Sequence, residues 1–230
     1  MIPLQDDNPS SIKPYVNFAL IGACAVAFLW QLSLGPNGQA AIFAYGVTPA
    51  ILLQGAEPVS GIATIPPELT VMTSMFLHGG WMHFIGNMLY LWVFGDNVED
   101  SMGHIRFVLF YVVCGVVAAL AQAIPDPDST IPMIGASGAI SGVLGAYLLL
   151  YPHARVLVGI LFGFYLHTMK LRAGWVLGLW FAMQLVSELM TPAGSAGVAF
   201  RAHLGGFVAG VLLIPLVKYR RIPLFHPKVD

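Results

Sequence analysis

What most constrains this chain is a succession of apolar windows, at residues 15–34, 81–94, 104–124, 136–151, 175–190 and 202–217. A bilayer-spanning helix needs about 20 predominantly apolar residues. Only 9% of the 230 residues are charged, against about 25% in an ordinary soluble domain. The expectation is an all-α membrane protein, a bundle of six transmembrane helices forming one domain over 1–230. Its helices need one another to shelter their few polar groups from lipid. Short tails, 1–14 and 218–230, flank the bundle, and a long loop, 35–80, joins helices 1 and 2. With five prolines and short apolar pieces, that loop reads as partly structured and interfacial.

The stretch 156–190 is too long for one crossing and is broken by Lys170 and Arg172. Its first part, 156–167, is expected to fold back or lie at the interface. An N-terminus on the inside puts Lys13, Arg106, Arg155, Lys170, Arg172, Lys218, Arg220, Arg221 and Lys228 on the cytoplasmic side, leaving Arg201 outside. The opposite orientation violates the positive-inside rule at all nine. Both termini are therefore read as cytoplasmic and the protein as multi-pass, in the cell membrane. The first apolar run follows Asp6 and Asp7 rather than a basic stretch and reads as a retained helix, not a cleaved signal. A net charge of −1 gives no reason to propose nucleic acid as a partner. Cys24 and Cys114 fall mid-span, where a small buried hydrophobe is the default role.

Polar residues inside a membrane are costly and are functional candidates by default. Ser137 lies in Gly135-Ala136-Ser137-Gly138 and His203 in Ala202-His203-Leu204-Gly205-Gly206, while His83 and Asn87 share one helix face at i, i+4. Ser137 begins a short helix ended by Pro152, and His203 stands fifteen residues before Lys218. At 1.5 Å per residue both lie roughly 20 Å above the cytoplasmic boundary, so the two side chains can meet below the outer surface. Ser141 and Gly145 follow Ser137, and Gly206 and Gly210 follow His203, at spacings that let helix backbones approach closely. His203, Gly206 and Gly210 share a face, which puts packing and chemistry on one seam.

A serine hydroxyl is a weak nucleophile until a base takes its proton, and a desolvated neutral histidine suits that task. No aspartate shares their depth, and Glu188, near the outer end of the fifth span, reads as solvated at the interface or, with Gln184 at i, i+4, as lining a gate or capping the helix end; a carboxylate orienting His203 is the minor alternative. The expectation is a Ser137–His203 dyad, with Asn87 and His83 as oxyanion donors. A helix-gluing role for Asn87 and His83 is the structural alternative. His78 stands at i, i+5 from His83 with no Cys or acid nearby, so it braces the outer loop, and no metal or cofactor is expected.

These motifs, with His78-Gly-Gly-Trp-Met-His83-Phe-Ile-Gly-Asn87, resemble in order and placement those of the rhomboid family of intramembrane proteases. The resemblance implies a six-helix core, the Ser137 and His203 dyad, an oxyanion site using His83 and Asn87, and transmembrane substrates cut near their helix ends. Two positions depart from the family pattern. Leu69-Thr70 stands where some members carry Trp-Arg, and Ser141 replaces an aromatic residue that packs against the catalytic histidine. The competing readings are a catalytically inactive membrane-protein binder or chaperone on the same scaffold, and a channel or transporter, for which paired half-helices are lacking.

Overall fold

The computed structural model describes residues 1–163, 165–191 and 197–225; Lys228 and residues 192–196, between the fifth and sixth apolar windows, lie outside the described residues. The described helices are α1 (Tyr15–Ser33), α2 (Gly38–Tyr45), α3 (Pro49–Gln54), α4 (Pro67–Thr73), α5 (Trp81–Met102), α6 (His104–Ala123), α7 (Ser137–Leu150), α8 (Ala173–Met190) and α9 (Phe200–Val217). Four of these, α1, α6, α8 and α9, are long and apolar enough to cross a membrane, and α7 is a shorter apolar helix. Helix α5 continues well past the apolar window that begins it and ends at Met102, bringing in Asp96, Glu99 and Asp100. The long connection before it holds α2, α3 and α4.

The chain is not all-α. Three antiparallel strands, β1 (Ile2–Asp6), β2 (Arg155–Phe162) and β3 (Tyr165–Arg172), form a sheet with β2 in the middle. The segment 156–167 does fold back, but as a hairpin, and Lys170 and Arg172 lie on its return strand. Val156 and Val158 alternate onto the core side and are fully buried, the period-2 pattern of a half-buried strand. A positive φ of 60° at Gly163 begins the reversal. The N-terminal segment, expected to be a tail, supplies β1, which pairs from Ile2 opposite Gly159 to Asp6 opposite Val156 with a register shift between Pro3 and Gln5.

Helix α7 sits at the centre, packed by α5, α6, α8 and α9, and nearly every residue along it is buried. It can be surrounded because its sequence is small: Gly138, Ala139, Ser141, Gly142, Gly145 and Ala146 let neighbours close in. The tightest seam is with α9. A Cβ on Gly206 would stand 2.0 Å from the carbonyl oxygen of Gly138, one on Gly210 1.9 Å from that of Gly142, and one on Gly145 2.3 Å from that of Phe207. Backbone therefore meets backbone along this seam. Helix α8 differs, since its buried residues, Ala173, Val176 and Leu177, all lie in its first turns.

Helix α1 is fastened to α5 by polar contacts. No side chain of its own caps its start; instead Glu99, fully buried, accepts the backbone N–H groups of Val16 at 3.1 Å and Asn17 at 2.7 Å. These are donors that a helix N-terminus leaves unpaired. His104 Nδ1 lies 2.5 Å from the same carboxylate. Asn17 in turn donates to the carbonyl of Leu91 at 3.1 Å, where Gly95 leaves room for it.

Candidate active site

Ser137 is the first residue of α7. The turn before it is set by Gly135, whose φ of 122° disfavours any side chain and whose N–H donates to the carbonyl of Ser74 at 2.8 Å. No side chain caps α7, so its first N–H groups lack intrahelical acceptors beside the serine. Ser141 is buried and donates its hydroxyl to the carbonyl of Ser137 at 2.6 Å. That bond turns its polar atom back onto its own helix.

His203 lies in the first turn of α9, almost fully buried. Its Nε2 is 2.8 Å from Ser137 Oγ and its Nδ1 is 2.7 Å from Gln184 Oε1. An amide oxygen accepts only, so Nδ1 carries the hydrogen and Nε2 presents its lone pair to the serine hydroxyl. The ring is flanked by Trp180, centroids 6.0 Å apart, and by Phe200 at 6.4 Å. Ser141 offers no aromatic face to this histidine; Trp180 reaches it from α8 instead. The chain entering α9 is braced twice: Gln122 accepts the N–H of Ala202 at 3.2 Å, and Arg201 Nε donates to Glu188 at 2.5 Å. Glu188 is thus engaged by Arg201.

His83 and Asn87 reach the same place from the first turns of α5. His83 Nδ1 accepts the N–H of Gly79 at 3.2 Å, which leaves the hydrogen on Nε2. A Cβ on Gly135 would stand 2.6 Å from that Nε2 and 3.6 Å from Ser137 Oγ. The missing side chain at Gly135 therefore keeps open the space between His83 and the serine. Asn87 Nδ2 is buried without a hydrogen-bond partner. Ser137, His203, His83, Asn87, Gln184 and Glu188 all line one cavity of about 820 Å³. His78, just outside it, is pinned to α1: its N–H donates to Gln31 Oε1 at 2.9 Å and its carbonyl accepts from Gln31 Nε2 at 3.3 Å.

All four chemical candidates from the sequence thus line a single cavity, and the two small-residue rows, Ser141 with Gly145 and Gly206 with Gly210, lie on the two helices that carry Ser137 and His203. Sequence reasoning missed Gln184 as a partner of His203, Trp180 as its aromatic neighbour, and Gln122 and Gln31 as braces. The first two had a signal. Trp180, Gln184 and Glu188 recur at i, i+4 and i+8, one stripe of a helix, and a Gln within an apolar span asks for a bonding partner. Among the described residues no cluster of three or more His, Cys, Asp or Glu is placed to hold a metal ion.

A family model described as Rhomboid domain matches residues 68–220, well over half of the chain. The chain is 29% identical over 199 residues to Rhomboid-like protease 5 of Toxoplasma gondii, covering 83% of this chain and 22% of that protein. It is 31% identical over 156 residues to the mitochondrial Rhomboid protein 1 of Saccharomyces cerevisiae, covering 64% and 41%. With Rhomboid protease GluP of Bacillus subtilis it shares 32% over 121 residues, covering 53% and 21%. The chain thus spans well under half the length of these relatives.

Proposed function

The chain belongs to the rhomboid family, and on that premise we propose that it is an intramembrane serine endopeptidase that cuts peptide bonds in or near transmembrane segments of membrane-protein substrates. The observation that supports this most directly is the 2.8 Å contact from Ser137 Oγ to the acceptor nitrogen of His203. Relatives named as rhomboid proteases support the same class.

In this reading Ser137 Oγ attacks the scissile carbonyl carbon as His203 Nε2 takes the hydroxyl proton. Negative charge develops on the substrate oxygen, and donors must already be in place to meet it. Asn87 Nδ2, His83 Nε2–H and the free N–H groups at the start of α7 are the donors at hand. His203 then gives its proton to the departing amine, leaving an acyl-serine. A water molecule, losing its proton to His203, adds to the acyl carbon, and the tetrahedral species collapses by breaking the bond to Ser137 Oγ, which takes that proton back from His203 as the new carboxyl terminus is released. Asn87 is well suited to its part. Of the orphaned buried side-chain atoms among the described residues, Asn17 Oδ1, His78 Nε2, Asp96 Oδ1 and Asn97 Oδ1 are acceptors. Those of Thr48 and Tyr111 are hydroxyls, and Asn87 Nδ2 alone can only donate.

The arrangement proposed in the membrane is six crossings, α1, α5, α6, α7, α8 and α9, with both termini at the cytoplasmic face of the cell membrane, which the distribution of Lys and Arg supports. Helix α7, with 14 residues, spans about 21 Å against a hydrocarbon core of about 30 Å. Ser137 then lies below the outer surface, where a bilayer-embedded substrate reaches it. The test is cleavage of a single-pass membrane reporter by purified protein, with the cut site mapped. Cleavage is expected to vanish in Ser137→Ala and His203→Ala; a Ser137→Ala protein that cuts as well as wild type refutes the proposal.

A further inference from the structure

A neutral imidazole is useful as a base only in one tautomer. For Nε2 to accept from Ser137, the hydrogen must sit on Nδ1, and a buried Nδ1–H needs an acceptor. The side chain that supplies it is Gln184, at 2.7 Å. Its own placement is built from both sides along α8. One turn before it, Trp180 lies against the His203 ring and stacks on Phe207 of α9, centroids 6.1 Å apart. One turn after it, Glu188 is held by Arg201 at 2.5 Å. Since α8 is buried only in its first turns, these three contacts fasten its outer half to the helix that bears the histidine.

We propose that Gln184 is a positioning residue of this site, fixing the tautomer and ring orientation of His203 so that the pair works as a Ser–His–Gln relay rather than an isolated dyad. The inference rests on the protease reading above. An uncharged amide fits the location, because a carboxylate beside His203 would place a charge at bilayer depth, where ionised groups are expensive. The amide still orients the ring, but it stabilises the imidazolium formed during attack less than an anion does.

The experiment is steady-state cleavage of the membrane reporter across pH by wild type, Ser137→Ala, Gln184→Leu and Gln184→Glu, with thermal unfolding of each in detergent. Gln184→Leu, similar in size but unable to accept, is expected to lower kcat at least about tenfold, with KM within about twofold of wild type. Gln184→Glu is expected to retain cleavage and to move the acidic limb of kcat/KM up by about one pH unit or more, since a carboxylate favours the charged imidazole. A residue that only packs α8 would move neither the limb nor the kcat-to-KM split. Wild-type kcat in Gln184→Leu, or an unshifted limb in Gln184→Glu, overturns this inference while the protease reading stands. Should Gln184→Leu fail to fold, the limb in Gln184→Glu decides. Wild-type protein that leaves the reporter intact, or Ser137→Ala that cuts it, overturns both.

Discussion

Adding one methyl group at Gly206 is expected to disable the site without touching a reacting atom. The added carbon would stand 2.0 Å from the carbonyl oxygen of Gly138, about 1.5 Å short of ordinary van der Waals contact. Its neighbour there is backbone, which cannot rotate away, so α7 and α9 must part by roughly that distance. Gly138 follows Ser137 directly, and Gly206 stands one turn below His203, so the rung forced apart is the one beside the serine–histidine contact. A spacing of 2.8 Å then becomes roughly 4 Å, beyond hydrogen-bond range. Overpacking of this kind costs about 1–3 kcal/mol of stability, and loss of the base's contact costs about 10²–10⁴-fold in rate. The assay is reporter cleavage alongside thermal unfolding for Gly206→Ala, with Gly22→Ala as reference. Gly22 lies in α1 with nothing within 4 Å of an added Cβ, so the same substitution there is expected to leave cleavage unchanged and to raise helix stability by at most about 1 kcal/mol. If Gly206→Ala cuts the reporter no more slowly than Gly22→Ala does, the reasoning from the glycine seam is wrong.

Asn87→Ala is expected to lower kcat by about 10²–10³-fold, the usual cost of one oxyanion donor, with KM little changed; a loss confined to KM would assign Asn87 to binding instead. A separate expectation concerns pH and the sheet. Burial lifts the Asp6 carboxyl from its ordinary 3.8 to about 7, with the Asp96 and Asp7 charges adding to the rise and the hydrogen bond from Tyr147 opposing it. The folded protein therefore binds this proton more tightly than the unfolded chain does, so the group's contribution to stability is fully present below about pH 4 and is lost as pH rises through about 7. The unfolding midpoint is expected to fall as pH rises from about 4 to about 7, and Asp6→Asn to flatten that fall; equal slopes in the two proteins would remove Asp6 as its source.

The apolar helices and the polar residues that line the cavity were legible in the sequence because lipid restricts what a chain can do. A polar side chain in an apolar window is a rare symbol, and Ser137, His203, His83 and Asn87 stand out for that reason. The glycines were legible too, since Gly206 and Gly210 recur at a spacing that only helix packing exploits. The hairpin at 155–172 was not. An apolar run of strand length looks the same as a short buried helix until a partner strand is present, and of the two partners of β2, β3 is almost wholly exposed and β1 comes from the far end of the chain. Gln184 and Trp180 were hidden for a related reason. Their spacing marks one face of α8, but which helix that face meets is decided by tertiary packing, here by α9 bringing Phe207 and His203 against it.

On the proposed protease reading, hydrolysis within a bilayer sets requirements that pull against one another, and the orphaned and satisfied groups of this site can be weighed against them. Water and charge must be admitted, yet every unpaired buried polar atom costs about 1–3 kcal/mol. The ground state answers by pairing nearly every group at the site: Ser137 with His203, His203 with Gln184, Ser141 with the Ser137 carbonyl, Glu188 with Arg201. What lacks a partner is Asn87 Nδ2, joined by the first N–H groups of α7, which have no intrahelical acceptor; Asn87 and Ser137 line the cavity where charge would develop during attack. In the protease reading, the cost of leaving them empty is recovered only when an oxyanion forms. A donor that gains its partner in the transition state, and not before, accelerates the reaction instead of merely tightening substrate binding. On that reading an orphaned donor at this place is put to use at the moment of attack, whereas in a non-catalytic relative on the same helices it would only cost stability.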